Sequence, residues 1–318
     1  MPTVLITGGT GLIGTALSFY LLKKGYEVII LTRNPKTARR KIPGDIQINN
    51  LSFASWNIRK QTIDSDSISR ADYIIHLAGA GVADRRWTKR RKRIIVESRT
   101  KSSEFMVKAL HDIPNKVKAV ISASAIGWYS PTPVSAESRG KRTEYDPPDP
   151  GFLGDTCRLW EQSISPITEM NIRLVKLRIG IVLSNAGGVL RSFMKPVRFG
   201  IAPIAGSGVQ MISWIHIDDL CRIFFEAMTN ESWQGVYNAV APNPVSNKTL
   251  ITELAKKRKG KFFLPLHIPS VLLKIILGGM SIEILKSTDV SAEKIKSTGF
   301  QFLYPTINAA FLELIRKK

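Results

Sequence analysis

Cysteine is nearly missing from this sequence. The only two in 318 residues, Cys157 and Cys221, lie in helical-looking segments without the spacing of metal ligands. That argues against a disulfide framework or a metal site and fits a reducing, cytoplasmic compartment. Long hydrophobic runs are absent as well. The nearest, Ile268 to Leu277, is broken by Lys274 and too short to span a bilayer, which leaves an interfacial amphipathic helix as the minority reading. The apolar residues after Met1 read as a strand and not as a secretory leader. Internal repeats, low-complexity tracts and a linker between independent domains are also lacking.

Acidic residues are scarce. The 25 Asp and Glu are set against 46 Lys and Arg, giving a formal charge of +21 and an isoelectric point near 10.1. Such an excess raises nucleic acid, anionic membrane or phosphate-bearing ligands as partners. No helix-turn-helix, zinc-finger or RNA-binding signature accompanies it, so nucleic acid is not expected. The densest cluster, Arg85 to Arg93 around Trp87, reads as the solvated start of a helix. With 44% hydrophobic residues, the chain can bury one large α/β core and a smaller lobe.

What is present starts at the first residues. Thr3 to Thr7 form an apolar, β-branched run that fits a buried parallel strand, and the residues after Gly14 have helical spacing until Gly25 supplies a C-cap. Between them Gly8, Gly11 and Gly14 stand in a GxxGxxG pattern. The first allows a tight turn, the second lets backbone approach a diphosphate, and the third packs helix on strand. Helix N-terminal amides and the helix dipole then favour the phosphates. Strand, glycine turn and helix together predict a dinucleotide site.

The second strand, Glu27 to Thr32, ends where an Asp or Glu would bind the ribose of NAD. Here the residue is Arg33, which can pair with a 2′-phosphate and stack on adenine. The expected cofactor is therefore NADP (NADPH), preferred over NAD. Lys36, Arg39 and Arg40 could add to that field or form a solvated basic loop.

Further strands are expected at Gln47 to Trp56, Ala71 to Ala80, Lys118 to Ala125 and Arg173 to Leu183, with Asn57 where an adenine contact would fall. Helices are expected from the basic cluster to Leu110 and from Phe152 to about Ile167. The βαβα alternation implies a Rossmann-type, doubly wound parallel sheet with right-handed crossovers. His76, inside an apolar run, reads as a satisfied core histidine. From Ser184 glycines and prolines mark a smaller C-terminal α/β substrate lobe. The expected division is an NADP-binding domain over 1–183 that also receives roughly 209–235, with the lobe over 184–208 and 236–318.

Beyond a generic nucleotide fold, the chain carries Gly8 to Gly14, Thr32-Arg33, His76 to Ala80, Arg86-Trp87-Thr88, Ser98-Arg99, Ser122 to Tyr129, Trp160-Glu161, Gly187-Gly188, Ser213 to His216, Asp219-Leu220 and Gly299-Phe300. In these motifs it resembles the atypical extended short-chain dehydrogenase/reductases. The nearest branch is that of NAD-dependent epimerase/dehydratase proteins related to short-chain dehydrogenase/reductase family 39U. The resemblance implies cofactor contacts at Gly8, Thr10, Gly11, Leu12, Ile13 and Gly14 for the diphosphate and at Thr32 and Arg33 for the adenosine phosphate. It implies Leu77, Ala78 and Gly79 along the ribose, Ser98 where an Asn is usual, and Ser124 as the catalytic serine. A homodimer through the helices after strands four and five is a further implication.

Ordinary members use Tyr-x-x-x-Lys, in which the ammonium and the cofactor's positive ring lower the phenol pKa. Aligned from Trp160-Glu161, those positions hold Leu153 and Cys157, and neither can transfer the proton. The one Tyr-x-x-x-Lys present, Tyr20 to Lys24, lies on the first helix behind the phosphate turn, with packing and surface roles. Tyr129 and His216 are the candidates to replace the missing acid, with pocket-wall and hydrogen-bonding roles as their alternatives. Cys157 is read as buried and inert, and Glu161 as a cap or partner within its own helix. The expected function is hydride transfer between NADP and a small-molecule substrate, by an oxidoreductase or a nucleotide-sugar-type epimerase/dehydratase. The alternative is a catalytically silent NADP-binding sensor or interaction protein.

Overall fold

Val4, Leu5 and Ile6 in the first strand and Ile74 and Ile75 in a later one have no exposed surface. Unbroken apolar runs of this kind require a layer on each face of the sheet. The computed structural model describes residues 1–39, 49–132 and 140–316. In chain order the first elements are β1 (Thr3–Thr7), α1 (Leu12–Lys23), β2 (Glu27–Thr32), α2 (Pro35–Arg39), β3 (Leu51–Asn57), β4 (Thr62–Ile63), α3 (Ser65–Arg70) and β5 (Tyr73–His76). Then come α4 (Lys89–Asp112), β6 (Ala119–Ala125), α5 (Phe152–Ile164), β7 (Arg173–Ile179), β8 (Ile181–Leu183), α6 (Gly188–Arg198), β9 (Ile201–Ala205), β10 (Met211–Ile212), β11 (Trp214–His216) and α7 (Ile217–Thr229). The chain ends with β12 (Gly235–Ala239), β13 (Val245–Ser246), α8 (Asn247–Lys259), β14 (Leu264–Ile268), α9 (Ser270–Leu277), α10 (Ser281–Leu285), α11 (Glu293–Lys296) and α12 (Ile307–Arg316).

The large sheet has the order β12-β7-β6-β5-β1-β2-β3-β4, parallel except for β4 at the edge. Strand order reverses between β1 and β5, and in open α/β sheets the crevice beyond the C-terminal ends at such a point is where ligands sit. On one face Leu17 and Leu21 of α1 pack with Leu220 and Phe224 of α7. On the other Phe105, Met106 and Leu110 of α4 cover Leu5, Ile29 and Ile74. A separate core of Leu190, Ile204, Leu250, Leu254 and Phe311 holds the C-terminal lobe. Among the described residues, no helix is long and apolar enough to cross a membrane.

Three boundaries differ from the expected ones. The third strand begins at Leu51, and the residues expected to open it, like Arg40, lie outside the described residues. The expected single strand from Arg173 to Leu183 breaks at Gly180. A Cβ there would stand 2.8 Å from the Ser213 carbonyl oxygen, because the chain turns to pair β8 with β11 outside the large sheet. Finally, Gly235–Ala239 returns to the large sheet beside β7, so residues 236–239, expected in the lobe, pair in that sheet. Gly235, at φ +83°, lets the chain re-enter the sheet.

Candidate nucleotide and active site

The glycine turn is built as a cradle. Gly8 leaves β1 at φ +67°, and a Cβ there would lie 2.7 Å from the Leu77 carbonyl oxygen at the exit of β5. A Cβ on Gly14 would collide with the Gly8 oxygen and come within 2.5 Å of Gly9 Cα, so α1 can close on the turn only as glycine. Gly11 is different: its nearest obstacle is the Gly8 oxygen at 3.3 Å, and its outer side is open. Gly11 also caps α1 without a side-chain hydrogen bond, and the first turn carries no acidic residue. Uncapped amides at a helix start make a favourable place for an anion. Thr10 is exposed, Ile13 packs inward, and Leu12 reaches across to within about 3.0 Å of a Cβ position on Gly188, tying the turn to the lobe.

Beneath this turn Thr7 and His76 fix the exits of β1 and β5. Thr7 Oγ1 accepts from the amides of Leu77 (3.0 Å) and Ala78 (3.2 Å) and stands 3.0 Å from His76 Nδ1. With its lone pairs so used, the threonine hydroxyl donates to Nδ1, and the imidazole carries its hydrogen on Nε2, facing Ser102 and Ser103 at 3.2 and 3.3 Å. Burial pushes His76 down to about 4, so it is a neutral core histidine. The resulting order places Leu77, Ala78 and Gly79 at the crevice rim.

Thr32 and Arg33 follow at the tip of β2, on the same edge. Arg33 is exposed and has no ion pair among the described residues. Lys36 and Arg39 lie in the short α2, both exposed. Asn57 is occupied locally: its side-chain oxygen accepts from the amides of Arg59 and Lys60 in the turn between β3 and β4. Ser98 is likewise internal, accepting from Ala80 N at 2.9 Å and donating to Ile95 O at 3.1 Å, which anchors the loop after β5.

On the β6 side the polar groups have found one another. Ser124 is buried and donates to Glu161 Oε1 at 2.7 Å. Glu161 receives two bonds from Arg178 on β7, from Nε at 2.8 Å and Nη2 at 3.1 Å. Glu161 therefore pairs across to the sheet and not within its helix as expected. Arg178 Nη1 donates to the Tyr129 hydroxyl at 3.0 Å, and Tyr129 donates to Asn238 Oδ1 at 2.6 Å. Burial lowers the Arg178 pKa, but the bonds and charge of Glu161 outweigh it and the group ends raised. Burial drives Tyr129 up to about 12 against the pull of Arg178.

Tyr129 and His216, the residues expected to replace the missing acid, are both bonded within the fold. Tyr129 has 0% exposure and a committed O–H, because the short 3-10 turn Ile126–Trp128 folds the chain inward after β6. His216 is 1% exposed, caps α7 by accepting from Asp218 N at 3.1 Å, and lies tilted at 37° against Tyr304 with ring centroids 3.9 Å apart. Both are buried and their printed partners are groups of the fold itself. Ser124 sits at the expected place on β6, but its hydrogen goes to Glu161.

Leu153 and Cys157 stand beside Gly127 at the end of β6, 3.2 and 3.7 Å from a Cβ position there. The wall is therefore apolar. Burial, helped by Glu161, drives the Cys157 thiol up to about 12, which leaves it inert. Tyr20 and Lys24 pack against Phe225 of α7, behind the turn. The basic cluster is more than a solvated helix start: Thr88 caps α4, Trp87 meets Phe152 edge-on at 5.0 Å, and Lys92 lies over Phe152 at 4.8 Å. Among the described residues, no group of His, Cys, Asp and Glu side chains is arranged to hold a metal ion.

One residue at this rim was not singled out as a site residue from the sequence. The Arg99 guanidinium carbon lies 3.2 Å from a Cβ position on Gly79 and 4.9 Å from the centre of the Trp160 ring. Its Nη1 donates to Ala80 O (3.1 Å) and Ile95 O (2.9 Å), and no carboxylate pairs with it among the described residues. Burial lowers its pKa. Its signal in the sequence is an arginine on the buried stripe of α4, in helical step with Ile95, Ser102 and Met106.

The pattern of the NAD dependent epimerase/dehydratase family matches residues 4–153, and a domain of unknown function, DUF1731, matches residues 268–314. The chain is 32% identical over 318 residues to the epimerase family protein SAR0825 of Staphylococcus aureus, covering all of both chains. Among solved structures it is similar to the human epimerase family protein SDR39U1 (isoform 2) with NADPH, at 27% identity and a TM-score of 0.84, covering 99% of this chain and all of that one. It is also similar to a nucleoside-diphosphate sugar epimerase of Corynebacterium glutamicum, at 28% identity and a TM-score of 0.75, covering 99% of this chain and 58% of that one. With its glycine cradle, its parallel sheet and a full-length likeness to the staphylococcal protein, the chain belongs to the epimerase family.

Proposed function

We propose that the chain binds a pyridine dinucleotide across the β1–β5 crevice, prefers NADP over NAD, and uses it for hydride transfer on a small-molecule substrate. The observation that carries the reading is the cradle: Gly8 and Gly14 sit where a Cβ would strike backbone, while Gly11 and the uncapped amides of α1 are open. The diphosphate then lies on Gly8, Thr10, Gly11, Leu12, Ile13 and Gly14. The 2′-phosphate meets Thr32 and the unpaired Arg33, and the nicotinamide half runs past Leu77, Ala78, Gly79 and Arg99. A bound nicotinamide supplies a hydride acceptor or donor. The chain's own residues position it and close one side of the crevice with Leu153 and Cys157. The NADPH named for the human neighbour supports a nicotinamide cofactor, and the preference for NADP rests on Arg33.

A second reading is favoured by a specific observation. Leu153 and Cys157 replace the proton-transfer pair, and Ser124, Tyr129 and His216 are internally bonded. A protein that holds the cofactor without turnover, as a sensor or interaction module, has the same cradle and the same apolar wall.

Titration of nucleotide-free protein tests the common part. NADPH should bind at least about tenfold more tightly than NADH, and Arg33→Ala should remove that difference, since a charge-assisted pair is worth about 1.5–3 kcal/mol. Indifference to both coenzymes overturns the reading. Oxidation of bound NADPH by members of a panel of carbonyl compounds and sugar nucleotides separates the enzyme from the silent binder.

A further inference from the structure

Apart from Tyr145, Met1, Leu303 and Val209, the large apolar side chains more than half exposed lie at Phe199 and along residues 262–282. Phe199 and Phe262 are 84% and 86% exposed, and α9 presents Val271 (65%) and Ile275 (65%), with Leu272, Ile276 and, beyond the helix, Ile282 also exposed. Of α9 only Leu273 is buried. Between the two groups runs β14, the edge of a two-stranded ribbon in which Leu264 and Leu266 are exposed. Its register, Leu264 opposite Ile201, brings Phe262 to the end of the ribbon where Phe199 stands. Apolar exposure concentrated in this way along one ribbon and the helix that follows it marks a docking surface.

Charge selects the occupant. Between Glu253 and Glu283 there is no acidic residue, while Lys256, Lys257, Arg258, Lys259, Lys261 and Lys274 fall within that span. A second copy of the chain docked face to face would bring like charges together, whereas an anionic lipid surface complements them. With eight residues α9 is about 12 Å long, too short to cross a bilayer and suited to lie in its interface, where Lys274 can extend its ammonium to the headgroups.

We propose that the segment from the last turn of α8 through β14 and α9 docks the protein peripherally on an anionic lipid membrane. Val271, Leu272, Ile275 and Ile276 enter the headgroup–acyl boundary, and the Lys256–Lys261 cluster meets the lipid phosphates. This does not depend on the cofactor reading.

Co-sedimentation of the full chain with vesicles of phosphatidylcholine alone, or mixed with phosphatidylglycerol, tests it. Binding is expected to the mixed vesicles, at least about tenfold weaker to phosphatidylcholine, and falling with salt. Val271→Asp with Ile275→Asp should abolish it, and Lys257→Glu with Lys261→Glu should weaken it. Because both native cysteines are buried, Ile276→Cys can be labelled selectively with an environment-sensitive fluorophore. Its emission should shift to the blue on the mixed vesicles, a readout that does not rely on the aspartate variant folding. No binding to either vesicle overturns the proposal. So does equal binding by the aspartate variant, which would assign adhesion to the overall charge. Self-association of the wild type, lost in that variant and without vesicle binding, would make the face an interface between copies and overturn it too.

Discussion

The two sides of the crevice, built at the ends of neighbouring strands, treat their polar groups in opposite ways. At β1 and β2 they are left open: the first amides of α1 are uncapped and Arg33 has no partner among the described residues. At β6 and β7 they are closed on themselves, in a chain from Ser124 through Glu161, Arg178 and Tyr129 to Asn238. The open groups are exposed and free to exchange water for a ligand, whereas the closed ones are buried and satisfy one another. The side proposed to hold the nucleotide thus keeps its polar groups available, while the β6–β7 side spends its own within the fold.

The sharpest way to break this contrast is at the cradle. Gly14→Val drives a side chain into Gly8 and Gly9 backbone and should reduce NADPH affinity by more than about a hundredfold, with a stability loss of about 1–3 kcal/mol. Gly11→Ala meets only the Gly8 oxygen at 3.3 Å, so it should leave thermal unfolding nearly unchanged while weakening NADPH. If both variants unfold alike and bind alike, the turn is only a packing element.

The closed side should respond in stability instead. Glu161→Leu leaves Arg178, which is only 2% exposed, without its carboxylate, and should cost about 3–5 kcal/mol in urea unfolding. Adding Arg178→Met should recover much of that loss, with NADPH affinity unchanged throughout. A double variant that keeps its fold but loses the cofactor would show that the lattice reaches into the site.

The floor shared by both sides gives a pH signature. His76 titrates near 6.5 when unfolded and at about 4 when folded, so between those values only the unfolded state takes up its proton. Stability conferred by the neutral imidazole is complete above pH 6.5 and is lost as pH falls, by about 3 kcal/mol at pH 4. Unfolding of His76→Gln should lack that share of the slope over the same range.

The open side was legible in the sequence because it is local. The three glycines of the GxxGxxG pattern, two apolar runs and one arginine lie within Thr3 to Arg33, and each is constrained by its immediate neighbours. The closed side was not, because its pairs join distant positions: Glu161 to Arg178 across a helix and a strand, Tyr129 to Asn238 across most of the lobe. No periodicity records which residues a loop will turn inward. The same limit hid the break at Gly180 and the return of β12 to the sheet, both fixed by what packs alongside.

Arg99 stands at the seam between the two sides, and it carries the smallest effect expected here. Its Nη1 is used by Ala80 and Ile95, but the rest of its fork has no carboxylate and lies against Gly79, where the nicotinamide ribose would pass. If the guanidinium contacts that ribose, Arg99→Met should weaken NADPH about tenfold while leaving adenosine 2′,5′-bisphosphate, which lacks the nicotinamide half, unaffected. Equal weakening of both ligands would mean that the arginine only braces the loop through Ala80 and Ile95, and would place the seam on the closed side. Loss of neither would leave the stack on Trp160 as its whole role, since a methionine can fill that space without a charge.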